Sequence, residues 1–275
     1  MEKITNWFKL WEELSQIQAA AFTRQKKDKD QDFWKDRAKA FDKMVDQRWA
    51  KPDSSRDFLV TTLKNNPGSS LLDIGAGTGK WSLLAAPYAG QITALEPSKA
   101  MQSVLREKIK NTDNISILDS TWPDPKIKAH DWILASHSMY GQRDFKAFVS
   151  QMNTSAKKGC ILVLRAPFAD SLMSQASTRV LGQPYDSPNF QVAYNCLLAM
   201  DIYPDVIMED ADAWQVWSHD TLALAEVKNR LGIQDEPCHD DYLSGLLDAH
   251  LIQKQDQWVW PQGNRSALVH WQVSQ

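Results

Sequence analysis

The residues best placed to do chemistry fall in one stretch, Ser70 to Pro97. Asp73 is followed by Gly75, Gly77 and Gly79, and Glu96 stands 19 positions after Gly77. Alternate glycines let a backbone turn tightly and come close to a ligand. A carboxylate at the tip of the next strand can accept both hydroxyls of a ribose. The implied chemistry is the holding of a nucleoside-bearing cofactor. The elements that position these residues are also legible. Leu71, Leu72 and Ile74 form a short apolar run behind Pro67-Gly68, as in a strand buried in a parallel sheet. Lys80 to Tyr88 can form a helix, and Ile92 to Leu95 give a second strand that ends at Glu96.

Three nucleotide folds use a glycine loop after the first strand. A phosphate-cradling P-loop needs a Gly five positions before its Gly-Lys pair and Ser or Thr after it. Here those places hold Ile74 and Trp81. The dinucleotide fingerprint needs a Gly at position 80, which is Lys80. What remains is D-x-G-x-G-x-G, an acid after the second strand, and Glu96-Pro97-Ser98. This pattern resembles the class I S-adenosylmethionine (SAM) dependent methyltransferases.

The resemblance implies an α/β fold: a seven-stranded, mostly parallel, Rossmann-like sheet that binds SAM and releases S-adenosylhomocysteine (SAH). It implies that Gly75, Ala76 and Gly77 approach the methionine part of SAM, that Asp73 orders the loop through its amides, and that Glu96, with Pro97, fixes the ribose. Just after the third strand, Thr121 and Trp122 hold the places that contact adenine, with Asp119 as the alternative. Trp122 either stacks on adenine or packs. Trp34 or Phe41 of a preceding helix either lines the SAM pocket or packs in the core. The fourth strand delivers Ser136-His137-Ser138-Met139-Tyr140-Gly141. Ligands of open α/β sheets sit beyond the carboxyl ends of the strands, so this loop lies beside the methyl group, with Ser136 on the cofactor. His137 is the candidate general base, since imidazole titrates near neutrality; the alternative is a structural loop histidine. Tyr140 and Arg165 point to the same rim and could orient a substrate.

The remaining elements divide the chain into four parts. Residues 1–53 form an N-terminal helical cap whose charged break at 24–30 reads as a solvated linker. Residues 54–165 form the SAM-binding core, with strands at Ile115–Leu118, Asp131–Ala135 and Cys160–Leu164. Strict alternation of strand and helix demands parallel order. Residues 166–238 break that alternation. They read as a helical lid over the substrate or a stabilising layer, with Trp214 and Trp217 nearby and Ser218 or His219 capping a helix. Residues 239–275 read as a helix and an antiparallel hairpin, 257–260 and 267–271, completing the core sheet.

Composition narrows the function. The chain has 275 residues, 43% hydrophobic and 24% charged, ordinary for a soluble enzyme. No apolar run approaches the roughly 18 residues of a membrane span. The first residues lack the pattern of a signal peptide, and the three cysteines are scattered. We therefore expect a cytoplasmic protein without membrane association, disulfides or a metal. From Ala166 to His250 there are 3 basic and 14 acidic residues. An acidic lid argues against nucleic acid, which calls for a basic stripe. The strand-four loop has no Asn/Asp-Pro-Pro-Tyr motif and no cysteine, which disfavours methylation of nucleobase amines and of cytosine C5. The expected activity is transfer of the sulfonium methyl to a small molecule, apolar or cationic. The alternatives are a protein or RNA methyltransferase and a non-catalytic SAM-binding partner subunit.

Overall fold

Three helices precede the sheet: α1 (Trp7–Arg24), α2 (Ala38–Trp49) and α3 (Ser54–Lys64). From there strand and helix alternate: β1 (Ser70–Ile74), α4 (Lys80–Ala85), β2 (Gln91–Leu95), α5 (Lys99–Lys108), β3 (Ile115–Leu118), β4 (His130–Ser136), α6 (Phe145–Ser155) and β5 (Ala156–Arg165). Then come α7 (Leu172–Leu181), α8 (Phe190–Leu198), β6 (Asp205–Met208), β7 (Val216–Trp217), α9 (Asp220–Leu231), α10 (Asp240–His250), β8 (Ile252–Lys254), β9 (Gln257–Val259) and β10 (Ser266–Gln272). This computed structural model describes residues 5–24, 32–210, 216–217, 220–254, 257–259 and 265–273. The linker at 25–30, Trp214, Ser218, His219 and the hairpin turn at 261–264 lie outside them. Among the described residues no helix is long and apolar enough to cross a membrane.

The main sheet has seven strands in the order β3-β2-β1-β4-β5-β10-β6. β10 runs antiparallel to both neighbours, and the pairings among β1 to β5 are parallel. Strand order reverses between β1 and β4. A crevice opens there beyond the carboxyl ends, where an open α/β sheet takes its ligand. Leu71, Leu72, Ile133, Leu134, Ile161 and Leu162 are fully buried. Their continuous apolar character fits strands covered on both faces.

Three features differ from the sequence reading. The stretch expected to be all helical after the fifth strand contains β6, which joins the sheet edge beside β10. Its apolar run, Val206-Ile207-Met208, is short, and its four residues are only half-buried or exposed. The expected hairpin does not form within the main sheet: β10 completes that sheet, while β9 pairs with β7 and β8 in a separate three-stranded sheet. The expected boundary at 238 also divides one layer. Leu243, Leu246 and Leu247 of α10 share a core with Leu172 and Met173 of α7 and Val227 and Leu231 of α9.

The N-terminal helices also part company. Trp11 and Leu14 of α1 are buried in the main core, and the Trp11 ring lies 4.2 Å from Phe145. By contrast, α2 adds charge and ring edges to a small apolar cluster in which Ala38 and Phe41 meet Met101 and Val104. Asp42 pairs with Lys108 and Lys80, Asp46 with Lys80, and Trp49 meets Trp81 edge-on at 5.3 Å.

β6 is tied to the start of α3 by one side chain. Glu209, just past the strand, accepts the Ser54 amide at 3.1 Å and both the amide and hydroxyl of Ser55. These amides belong to the free first turn of a helix. Glu209→Ala is therefore expected to lower stability by about 1–2 kcal/mol in urea unfolding, with Glu209→Gln intermediate. An unchanged midpoint would refute the tie.

Candidate functional site

The glycine loop leaves β1 and hooks onto the end of β2. The amides of Gly75 and Ala76 both donate to the Leu95 carbonyl, at 2.8 and 3.0 Å. The Gly77 amide donates to Glu96 Oε2 at 2.8 Å, and the Ser98 amide to Glu96 Oε1 at 2.8 Å. Gly75 and Gly77 both have positive φ, +68° and +58°. A Cβ on Gly75 would stand 2.4 Å from Ser138 Cβ, while before Gly77 the nearest atom is 4.0 Å away. One glycine is thus required by the wall behind the loop, and the other faces open space in which a ligand fits.

Asp73 does not order the loop amides, contrary to expectation. Its carboxylate turns to α4 and accepts the Ser82 hydroxyl at 2.6 Å. The loop amides are instead held by Leu95 and Glu96, one strand over. Burial pushes the Asp73 carboxyl up to about 6; the Ser82 hydroxyl opposes this, and the Glu96 charge adds to it. Glu96 is also raised, first by burial and further by Asp32, against the pull of the Ser98 and Gly77 amides.

The segment before α2 lies against the start of α5. Asp32 accepts the Ser98 hydroxyl at 2.8 Å and the Ala100 amide at 3.3 Å. Trp34 and Phe41, 4.9 Å apart, pack with Ala38 against Ala100, Met101 and Val104. Trp34 therefore sits one turn from the exposed Pro97, as part of a small cluster. Gln102 links the β2 and β3 ends, donating to the Glu96 carbonyl at 2.6 Å and to Asp119 at 2.8 Å. Asp32 and Gln102 were not legible as site residues. The only signal was Ser98, the residue that caps α5.

Beyond β3 the two expected adenine contacts separate. Thr121 is exposed. Trp122 is buried, donates its indole N–H to the Phe148 carbonyl at 3.1 Å, and meets the Phe148 ring edge-on. A buried indole needs a partner for its N–H, and this one finds it in α6. The packing alternative describes Trp122; stacking on adenine does not.

The β4 loop forms the opposite wall. Ser138 Oγ donates to the Ile74 carbonyl at 2.6 Å, which holds this loop against Gly75. Ser136 pairs with Val163 at the end of β4 and is partly exposed. His137 has φ +53°, a strained backbone for a residue with a side chain. Its Nδ1 lies 2.8 Å from the Tyr140 hydroxyl and its Nε2 3.3 Å from Ser266 Oγ. The Tyr140 oxygen accepts the Arg165 amide at 2.7 Å. The assignment that satisfies each group has Tyr140 donating to Nδ1 and Nε2–H donating to Ser266. Burial, helped by the Arg48 and Arg165 charges, pushes the imidazole down to about 3. This differs from the role of a base: burial disfavours the charged ring, and both ring nitrogens already have hydrogen-bonding neighbours.

The buried Cys160 and Cys196 thiols are raised by burial and take no part in this wall. Among the described residues one potential metal cluster occurs, Glu236, Cys238 and His239, whose ligand atoms lie within 4.8 Å of one another at the surface before α10.

Asp73 carries a pH signature. Unfolded, its carboxyl titrates near 3.8; folded, near 6. The folded state holds the proton more tightly, so this group lowers stability as pH rises from about 4 to about 6. Asp73→Asn keeps an acceptor for Ser82 and is expected to remove that slope. At pH 7 it should raise ligand-free stability by up to about 3 kcal/mol. Urea unfolding across that range tests it, and an undiminished slope would assign the titration elsewhere.

A family described as a methyltransferase domain matches residues 33–218. No curated relative matches the chain in sequence. Among solved structures, the chain is similar to a Bacillus halodurans protein described as a candidate methyltransferase, at 12% identity and TM-score 0.53, covering 81% of this chain and 100% of that one. It is similar to the YcgJ protein of Bacillus subtilis at 15% identity and TM-score 0.51, covering 81% and 99%. Magnesium protoporphyrin IX methyltransferase from Synechocystis PCC 6803, solved with SAH bound, matches at 13% identity and TM-score 0.46, covering 80% and 82%. With more than half of its length matched and its sheet built in this order, the chain belongs to the class I SAM-dependent methyltransferases, enzymes whose cofactor is SAM.

Proposed function

We propose that this methyltransferase acts on a small molecule that enters beside the β4 loop, residues 136–141. The observation that carries this reading is the cover over the acceptor end. Arg165, at the end of β5, is tied to Gln18 of α1 at 2.8 Å, and α1 is anchored by the buried Trp11, which donates to the Gln142 carbonyl at 2.8 Å. A helix fixed there suits an enclosed small substrate better than a long RNA or protein chain, which needs an open groove.

The roles follow from position. Gly75, Ala76 and Gly77 form the floor for the methionine part of SAM. Glu96, held by two amides, keeps lone pairs for the ribose hydroxyls. Pro97, Thr121 and Trp34 border the adenosine side, and Ser136 borders the β4 side. When bound, SAM supplies a methyl group on a cationic sulfur. The chain's task is to hold the acceptor in line and exclude water. His137 and Tyr140 act as positioning residues, because their mutual hydrogen bond and the link to Arg165 fix the rim.

Calorimetric titration tests the cofactor assignments. Wild type binds SAH. Glu96→Ala is expected to weaken SAH by about tenfold or more, the loss of charge-assisted bonds, and unchanged affinity would refute the ribose assignment. Gly75→Ala should abolish binding, because its Cβ meets Ser138. For the substrate, SAH release from SAM with a low-mass cell extract supports the proposal. Release only with the macromolecular fraction overturns it.

A further inference from the structure

The first half of the glycine loop is anchored on the end of β2, and the second half on a helix from far away in sequence. The Gly75 and Ala76 amides rest on the Leu95 carbonyl, and the Gly77 amide on Glu96. The next residue, Thr78, is buried, and its hydroxyl donates to Asp42 of α2. Asp42 also pairs at 3.9 Å with Lys80, which follows Gly79 and opens α4, and it pairs with Lys108 at the end of α5. Asp46 pairs with the same Lys80, and Trp49 meets Trp81 of α4 edge-on at 5.3 Å. Asp42, Asp46 and Trp49 are spaced four and three apart, so they share one helix face. That face lies against the exit of the glycine loop.

The same segment reaches the ribose carboxylate. Asp32, just ahead of α2, accepts the Ser98 hydroxyl at 2.8 Å and the Ala100 amide at 3.3 Å, and its other oxygen accepts the Trp34 amide at 3.0 Å. The Ser98 amide in turn holds Glu96. The two attachments belong to one assembly, because α5 packs onto the glycine loop: a Cβ on Gly79 would collide with Leu105. A brace that served stability alone would need only the flanks of α4 and α5. Here the two carboxylates fall on Thr78 and Ser98, side chains of the two cofactor loops themselves. Burial works against the Asp42 charge, yet Lys108, Thr78 and Lys80 hold its carboxyl below the usual value. It is therefore ionised at neutral pH.

We propose that Asp32 and Asp42 are positioning residues for the cofactor: from the N-terminal segment they fix the two loops that seat SAM, so that cofactor binding and the docking of α2 are coupled. The proposal rests on the reading of the glycine loop and Glu96 as the cofactor's seat. Neither aspartate has to touch the cofactor. Asp42 sets the loop beside Gly77, and Asp32 sets the amide that carries Glu96. Coupling is reciprocal. If docked α2 tightens the hold on the cofactor, bound cofactor must hold α2 more firmly. It also leaves an electrostatic mark. SAH has no net charge at neutral pH, so salt has little direct effect on its binding. Coupling to the ion pairs among Asp42, Asp46, Lys80 and Lys108 gives that binding a salt dependence.

The test titrates the full chain with SAH by calorimetry at about 50 and about 500 mM NaCl, and follows hydrogen exchange of residues 38–49 with and without SAH. Wild type should lose about threefold in SAH affinity across that range, and SAH should slow exchange in α2. Asp42→Ala and Asp32→Ala should each weaken SAH by about tenfold. Asp42→Asn keeps an acceptor for Thr78 but loses the lysine pairs. It should lose less affinity, along with most of the salt dependence. SAH affinity unchanged in both alanine variants overturns the proposal, even if their urea midpoints fall, because the aspartates would then be structural only. So does an equal salt dependence in wild type and Asp42→Asn, or α2 exchange in wild type that SAH leaves unaltered. The wild-type exchange result decides by itself if a variant does not fold. Failure of wild type to bind SAH, or unchanged affinity in Glu96→Ala, would instead sink the cofactor assignments.

Discussion

Glu96 is buried at the tip of β2, and two backbone amides, Gly77 and Ser98, hold its charge. A carboxylate moved out of water without such donors is strongly penalised. The rest of the site depends on meeting that constraint. Gly77 can present its amide only in the left-handed conformation its φ shows. Ser98 can present its amide only where α5 begins, which its own side chain sets by capping the helix at Met101. Asp32 then bonds the same Ser98 and draws the N-terminal segment onto the site. One side chain thus fixes the glycine loop, the entry of α5 and the near edge of the cover. Its neighbour Asp73 is buried as well; burial raises both carboxyls, and the Glu96 charge raises Asp73 further as Asp32 raises Glu96. The strand ends therefore carry a stored electrostatic cost that a hydroxyl-bearing ligand can relieve.

The electrostatics change sign across the crevice. At the β1 and β2 ends stand the carboxylates of Asp73 and Glu96, with Asp32 bonded to Ser98. At the end of β5 stands Arg165, its guanidinium 4.0 Å over the Tyr140 ring and tied to Gln18 of α1. Carboxylates accept hydroxyls, while the Arg165 link fixes the rim of the β4 loop. The two covering helices differ in their hold: α2 rests on ion pairs, ring edges and one small apolar cluster, and α1 is buried in the main core.

The parallel core was legible in the sequence because local signals agreed with the final packing. Apolar runs such as Leu71-Leu72 and Ile161-Leu162 became strands covered on both faces, and the glycine loop fell between them. What escaped was decided by tertiary partners. β6 reads Asp-Val-Ile-Met and lies half-buried at a sheet edge, so its strand character comes from pairing with β10 rather than from its own pattern. The strand at 257–259 was legible as a strand, but it pairs back onto β8, two residues before it, and onto the distant β7, rather than forward onto β10. Trp122 occupies the position of an adenine contact, yet Phe148 offers its indole a buried acceptor. His137 carries the right chemistry for a base, but Tyr140, three residues on, and Ser266, from β10, stand against its two ring nitrogens.

Charge was the least transferable of the sequence signals, and the reason is geometric. The region 166–250 has 14 acids against 3 bases, which on its own describes an acidic lid. A Coulomb interaction depends on distance and burial, not on segment totals. Of these acids, Glu209 caps a helix of the core, Asp240 faces Lys228, and Asp186 is buried against Arg230. Each is engaged with its own partner, and Asp186 also lies close enough to Arg165 to feel its charge. The guanidinium that stands at the end of β5 is Arg165, which lies outside the segment and belongs to no basic run. It is there because the carboxyl ends of parallel strands converge on one place, whatever the charge of the segment that follows.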